Sequence, residues 1–254
     1  MTDEELLIAL ADDKLNMCID NYMLTNTNFL DLNQQSILKK HLSECKANYE
    51  FYGGFKDSER KILLFLPDYI KSADSFSENP DLNPIVQIKI LKDGFSSLTH
   101  RDYLGAIMGL GIKREMLGDL TVTDYGCITV AFGNIAEYIK DNLISVGRGT
   151  VKVEICDSFD DLSAMQNIEQ KRCYVSSMRA DSVVASVFNL SRTAAVEKIK
   201  RSEVFVNDLL IEKNDSKIPL NSKIVVRGKG KAVISSYDGI TKKGRHAFAV
   251  DLYK

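Results

Sequence analysis

Three short runs in this 254-residue chain carry residue types that perform chemistry elsewhere. His100-Arg101-Asp102 has the order that opens a protein-kinase catalytic loop, where the aspartate accepts a hydroxyl proton. Its surroundings argue against that role. Residue 107 is Ile where an Asn would hold metal, Asp93-Gly94-Phe95 precedes the run, and no glycine-rich nucleotide loop lies upstream. Thr99 and Asp102 instead have capping-box spacing ahead of Tyr103, Leu104, Ile107 and Met108, and Gly105 and Gly109 are expected to let that helix lie close on its sheet. Gly109-Leu110-Gly111 lacks the third glycine and the preceding strand of a dinucleotide fingerprint and reads as a helix end. His41, His100 and His246 are far apart, and Cys18, Cys45, Cys127, Cys156 and Cys173 are odd in number with no C-x-x-C pair. No catalytic residue, metal site, disulfide framework or cofactor is therefore expected.

The chemistry that remains is charge. Residues 179–254 hold 15 Lys+Arg against 8 Asp+Glu, a net of +7, which leaves −9 for the first 178 residues of a chain whose total is −2. Such asymmetry is what a polyanion-binding module joined to a differently employed body would show. Within it, Arg179, Arg192, Lys198, Lys200 and Arg201, with Ser191 as a helix cap, fall on a helix pair. Lys229, Lys231, Lys242, Lys243 and Arg245 fall on two glycine-bearing turns, where backbone N–H groups can approach phosphate oxygens. His100 and Arg101 at a helix start, and Lys113 and Arg114 after it, are further candidates for phosphate contact, although a solvated surface explains them as simply.

The elements that position these residues make an α+β protein in three parts. Residues 1–80 read as mainly helical, with Leu6, Leu7 and Leu10 on one face and a second helix capped by Asp31 and Gln34. Ile62–Leu66 reads as a short buried strand stopped by Pro67, and residues 72–84 as a linker. Residues 81–176 show strand, helix, two strands, helix, strand: a ferredoxin-like, RRM-like βαββαβ domain. Its sheet is not expected to stack bases, because Ile85–Ile90 has no ring and residues 125–132 only faintly resemble the aromatic strand motif. Residues 177–254 begin with two helices, the first capped by Asp181 and striped by Val183, Val184, Val187 and Phe188. Val204-Phe205-Val206 and Leu209-Leu210-Ile211 then flank the tight turn Asn207-Asp208. The acidic start Met1-Thr2-Asp3-Glu4-Glu5 and the lack of an apolar run near the ~20 residues of a membrane span lead to the expectation of a cytoplasmic protein with no membrane partner.

Arg179-Ala180-Asp181, Ser191-Arg192, Ala195, Ile199 and Val204-Phe205-Val206-Asn207 resemble the RNA-binding domain named after ribosomal small-subunit protein S-four, with Ser202-Glu203 where that domain usually has a glycine. The resemblance extends over nearly the whole chain. Phe51-Tyr52-Gly53-Gly54-Phe55, Glu59-Arg60-Lys61, Phe65-Leu66-Pro67, residues 99–105, Gly111-Ile112-Lys113-Arg114-Glu115 and the basic turns, in this order, look like the YlmH family of bacterial RNA-binding proteins. That resemblance implies a non-enzymatic factor of ribosome-associated quality control. Its partners would be the rRNA of the large ribosomal subunit, tRNA or peptidyl-tRNA, and a tailing factor that extends the stalled nascent chain.

The rival reading is an RNA-modifying enzyme of the pseudouridine synthase or methyltransferase type, since the same small domain accompanies both. Against a methyltransferase, Ile85–Leu91 leads into Lys92-Asp93-Gly94 and not into a glycine-rich turn. A uridine isomerase would need an aspartate in a defined loop, which one sequence does not reveal.

Overall fold

A computed structural model of the chain describes residues 1–55, 58–93, 97–156, 158–159 and 168–253; Gly94 and Phe95 of the run weighed above lie outside them. The chain divides into two compact units, Met1–Ser163 and Ala164–Lys254.

The first unit opens with α1 (Asp3–Asn21), started by a reciprocal cap between Thr2 and Glu5 and by three acidic residues at its positive dipole end. After β1 (Thr25–Asn26), α2 (Leu32–His41) carries the expected box: the Gln34 N–H donates to Asp31 and the Asp31 N–H to the Gln34 side chain, both at 2.9 Å. β2 (Tyr49–Tyr52) and β3 (Ile62–Phe65) complete a sheet of order β1-β3-β2. All four β3 residues are buried, and the two-residue period of a strand explains why. Leu63 and Phe65 pack with Ala11, Leu38 and Leu42 of the helical side, while Ile62 and Leu64 pack with Phe29, Ile85 and Val130. An apolar run with both faces covered needs a second layer. That layer is the sheet of residues 85–156, so residues 1–80 and the domain after them share one core.

That sheet comprises β4 (Ile85–Lys92), β5 (Leu117–Thr123), β6 (Gly126–Phe132), β7 (Ser145–Val146) and β8 (Gly149–Cys156), with α3 (His100–Gly109) and α4 (Gly133–Asn142) as connections. Its antiparallel order, β5-β6-β4-β8-β7, is the split βαββαβ arrangement with β7 added at one edge. Tyr103, Ile107, Ala136 and Ile139 of the helices bury one face over Ile88, Ile90 and Cys127. Gly105 and Gly109 do not serve that contact. Both point to open space, a correction to their expected role, and Ile107 makes the approach instead.

The second unit is a six-stranded antiparallel sheet of order β11-β10-β12-β13-β14-β9 with two helices on one face. Its elements are β9 (Ile168–Val175), α5 (Ala180–Val187), α6 (Arg192–Lys200), β10 (Val204–Val206), β11 (Leu209–Leu210), β12 (Lys223–Val226), β13 (Gly230–Ile240) and β14 (His246–Tyr253). β9 begins upstream of residue 177 because it pairs with all of β14, from His246 opposite Val175 to Tyr253 opposite Ile168. The core joins Val183, Val184 and Val187 of α5 and Ala195 and Ile199 of α6 to Val204, Ile224, Ile234, Phe248 and Val250 of the sheet. Lys171 of β9 ties the sheet to the end of α5, donating to the carbonyls of Ser186 and Val187 at 2.6 and 2.9 Å, where a cation also meets the negative dipole end.

Candidate nucleic-acid interface

The helix pair of the second unit is organised around one carboxylate. Asp181 lies inside the first turn of α5, whose N-cap is Arg179, so it does not cap the helix as its sequence position suggests. It is 2% exposed and accepts from Arg179 at 3.3 Å and from the Arg192 guanidinium at 3.0 Å. Burial alone would raise its pKa; the bonds from Arg179 and Arg192 outweigh that and hold it below the usual carboxylate value. Two guanidinium groups against one carboxylate leave one positive charge, and Arg192 remains 59% exposed for an outside anion. Ser191 caps α6 by accepting from the Ala194 N–H at 3.0 Å.

At the other end of α6 the two lysines are paired one to one. Lys198 bonds to Glu203 and to the Arg227 carbonyl, and Lys200 lies 3.8 Å from Glu197. The helix closes in a Schellman motif: Ser202 N–H to the Ile199 carbonyl at 3.0 Å and Glu203 N–H to the Lys198 carbonyl at 3.1 Å. Ser202 takes φ 56°, the left-handed conformation that a glycine would adopt freely. Arg201, the C-cap, is exposed and forms no ion pair among the described residues.

The two basic turns differ. At the first, Arg227 lies over the Phe205 ring at 5.6 Å and Lys229 is exposed, but Lys231 is only 6% exposed and sits over the Tyr253 ring at 4.2 Å. Lys231 is thus a sheet residue and not a surface cation. The second turn closes β13 onto β14: the Gly244 N–H donates to the Thr241 carbonyl at 2.8 Å and the Arg245 N–H to Thr241 Oγ1 at 3.1 Å, with Gly244 at φ 70°. Lys242, Lys243 and Arg245 project from it exposed, with no ion pair among the described residues. Among the described residues of the unit this is the densest uncompensated charge.

In the first unit the four further candidates separate. His100, Arg101 and Lys113 are exposed. Enough protein surrounds the His100 ring that desolvation, with the Arg114 charge second, lowers its pKa, so it meets neutral solution uncharged. The Arg114 guanidinium is directed inward, to the Leu117 and Gly118 carbonyls at 2.8 and 2.9 Å. Burial first and the Arg60 charge second bring its pKa down to about 10, still protonated near neutrality. Arg60 is its structural partner, bonding to the Phe29 and Leu117 carbonyls at 2.9 and 3.1 Å. Asp119 accepts the backbone N–H groups of Glu59 and Arg60. Burial raises the Asp119 pKa, and those two bonds and the two arginines offset only part of the rise. This network staples Phe29, Glu59 and Arg60 to β5.

Among the described residues a histidine meets an acid or a hydroxyl twice, His41 with Asp12 at 2.9 Å and His246 with Tyr237 at 2.8 Å. No group of three or more His, Cys, Asp or Glu is placed to hold a metal ion, and burial raises the pKa of Cys18, Cys127 and Cys173, so these remain thiols. A cleft of about 310 Å³ beside α1, lined by Leu15, Cys18, Ile19, Tyr22, Phe65 and Asp68 among others, contains no histidine. No described helix is long and apolar enough to cross a membrane.

Over 243 residues, 96% of this chain and 93% of the other, the sequence is 28% identical to "Ribosome-associated protein quality control protein P2" of Bacillus subtilis (strain 168). Residues 84–160 match the family model described as "Putative RNA-binding domain in YlmH". The chain is similar to YlmH-type proteins over nearly its whole length. The solved "Cell division protein ylmH from Streptococcus pneumoniae" has the same fold over 61% of this chain and 92% of its own, with a TM-score of 0.51 and 22% identity.

The stretch that matches the YlmH family model is the β4–β8 domain, whereas charge alone pointed to the second unit. The sheet face opposite α3 and α4 is partly sealed: Ile85, Val130 and Phe132 lie under Phe29, Ile62 and Leu64, with the Phe29 and Phe132 rings 5.2 Å apart. At that end the aromatic rings are used in packing and not in base stacking. Sequence reasoning did not single out Arg172 of β9, which lies 3.6 Å from Asp238, the exposed Tyr174 of the same strand, or the Tyr237–His246 pair at the root of the second turn. Only the register of β13, β14 and β9 reveals which of these share a face.

Proposed function

We propose that this YlmH-like chain is an RNA-binding factor that associates with the large ribosomal subunit and peptidyl-tRNA in ribosome-associated quality control, supporting the C-terminal tailing of stalled nascent chains. It works in the cytoplasm by holding RNA in place and catalyses no reaction. The observation that carries this reading is the turn at residues 241–245, where Lys242, Lys243 and Arg245 stand exposed with no described carboxylate to neutralise them. Arg201, Lys229 and the surplus charge of Arg179 and Arg192 over Asp181 add to it. The name of the B. subtilis relative, and the RNA-binding description of the family model over residues 84–160, support the same reading.

Cosedimentation with large ribosomal subunits tests it. Lys242→Glu, Lys243→Glu and Arg245→Glu combined are expected to abolish association while the melting temperature stays unchanged; undiminished association of this folded variant overturns the assignment. Mass-mapping of rRNA and tRNA from deletion cells addresses catalysis: a missing modification would replace this reading with the modifying-enzyme one.

A further inference from the structure

Beside the basic turn of the second unit the sheet carries a pair of rings that its core does not need. Tyr237 on β13 and His246 on β14 lie with centroids 6.0 Å apart, and the Tyr237 hydroxyl is 2.8 Å from His246 Nδ1. Tyr237 stands opposite Phe248, and His246 opposite Ile240 and Val175, so both rings continue the core face of the sheet toward its tip. The core ends before them: Tyr237 is 37% exposed and Ile240 66%. Register shifts between Ile234 and Ser236 and between Tyr237 and Gly239 bracket Tyr237, the kind of irregularity that bends a ribbon and re-aims a side chain. The hydrogen bond then fixes the tilt of the two rings against each other, so little conformational entropy remains to be lost when a ligand settles on them.

We infer that Tyr237, His246 and Ile240 form a stacking platform for an unpaired nucleobase, with Lys242, Lys243 and Arg245 holding the adjoining phosphates. This deepens the RNA-binding reading above and rests on it. Single-stranded nucleic acid is held by cations along the backbone and aromatic faces under the bases, and the two are adjacent here. Four residue steps of β13, roughly 13 Å, separate Tyr237 from the turn, and Arg245 directly precedes His246. A protein partner would want apolar area without uncompensated cations at its edge. The ligand class is a looped or single-stranded RNA segment; a blunt helix offers no free base to this platform.

The chain contains no tryptophan, so Tyr237→Trp installs a single fluorescent reporter at the platform. Its emission is expected to be quenched by a short single-stranded oligoribonucleotide and not by a blunt RNA duplex of equal charge. In the otherwise unaltered protein, 4-thiouridine in the single strand is expected to photocrosslink to the peptide between Lys231 and Lys242. Tyr237→Leu should weaken single-strand binding roughly 5- to 100-fold and leave duplex binding unchanged, the range that loss of one stacked base produces.

Failure can be assigned. If both RNAs bind, the triple glutamate variant abolishes binding, and yet Tyr237→Leu has no effect and crosslinks map elsewhere, the platform is refuted while the RNA-binding reading stands. If Tyr237→Leu spares RNA but releases a ribosomal protein, the surface is a protein-docking site and the inference falls. If neither RNA binds the native chain, both readings fall together.

Discussion

Arg192 reaches back from α6 to place Nε and Nη2 at 3.1 and 3.0 Å from the same carboxylate oxygen of Asp181, across the turn that joins the two helices. The bond fixes the helix pair and orients the guanidinium at the surface. Asp181→Asn removes a charged acceptor from a buried position and is expected to cost about 1–3 kcal/mol in a denaturant titration. Because the folded-state pKa lies below the unfolded one, this contribution is complete above the ordinary Asp value of about 3.9 and is lost as pH falls through the depressed folded value. Acid titration of the Asp181→Asn chain should lack that part of the decline.

Ser202 ends α6 in the left-handed region at φ 56°. Ser202→Gly relieves the conformational strain and keeps both Schellman bonds, which involve only the backbone. A gain of roughly 0.5–1 kcal/mol is expected, read as a higher Tm with unchanged RNA affinity.

Glycines of the first unit should respond oppositely to alanine. At Gly126, φ 151°, a Cβ would lie 2.0 Å from the Ile90 carbonyl oxygen of the paired strand, and backbone cannot yield as a side chain can. Gly126→Ala should cost about 2–4 kcal/mol. Gly105→Ala, in α3 with open space around it, should stabilise by roughly 0.5–1 kcal/mol. Paired thermal melts check both.

Arg60 holds the Phe29 and Leu117 carbonyls from one guanidinium. Arg60→Ala strands two acceptors in a half-buried seam and should destabilise the first unit by about 2–3 kcal/mol. Amide hydrogen exchange would show the loss as faster exchange in β3 and β5. Protection unchanged in both strands would mean that the seam is held by Phe29, Ile62 and Leu64 alone.

Salt dependence reads the number of phosphate contacts. Each cation of the 241–245 turn that neutralises a phosphate adds roughly 0.7–0.9 to the slope of log affinity against log salt. Lys242→Ala, Lys243→Ala and Arg245→Ala combined should therefore flatten the slope by about 2–3. An unaltered slope would place the bound phosphates elsewhere.

Much of this protein follows from local chemistry. The Asp31–Gln34 cap, the Thr99–Asp102 pair at the start of α3 and the Asn207-Asp208 turn, at φ 51° and 64°, all involve residues one to three positions apart, whose geometry the chain sets for itself. The βαββαβ order was legible for the same reason: periods of 2 and 3.6 are local signals. The charge asymmetry that separates the second unit from the first is simple composition.

What the chain could not declare by itself was the availability of its charges. Arg179, Arg192, Lys198, Arg114 and Lys231 look alike in sequence to Lys242, Lys243 and Arg245. Yet Asp181 and Glu203 neutralise part of the first three, backbone carbonyls occupy Arg114, and the Tyr253 ring covers Lys231. The four apolar residues of β3 likewise hid that residues 1–80 share a core with the next domain. Each outcome depends on partners distant along the chain, and Coulomb attraction, burial and hydrogen bonding act through space. Sequence alone determined the capped helices, the βαββαβ order and the polarity of charge, while tertiary structure decided which cations stand without a carboxylate partner, because only folding sets the distance from each to one.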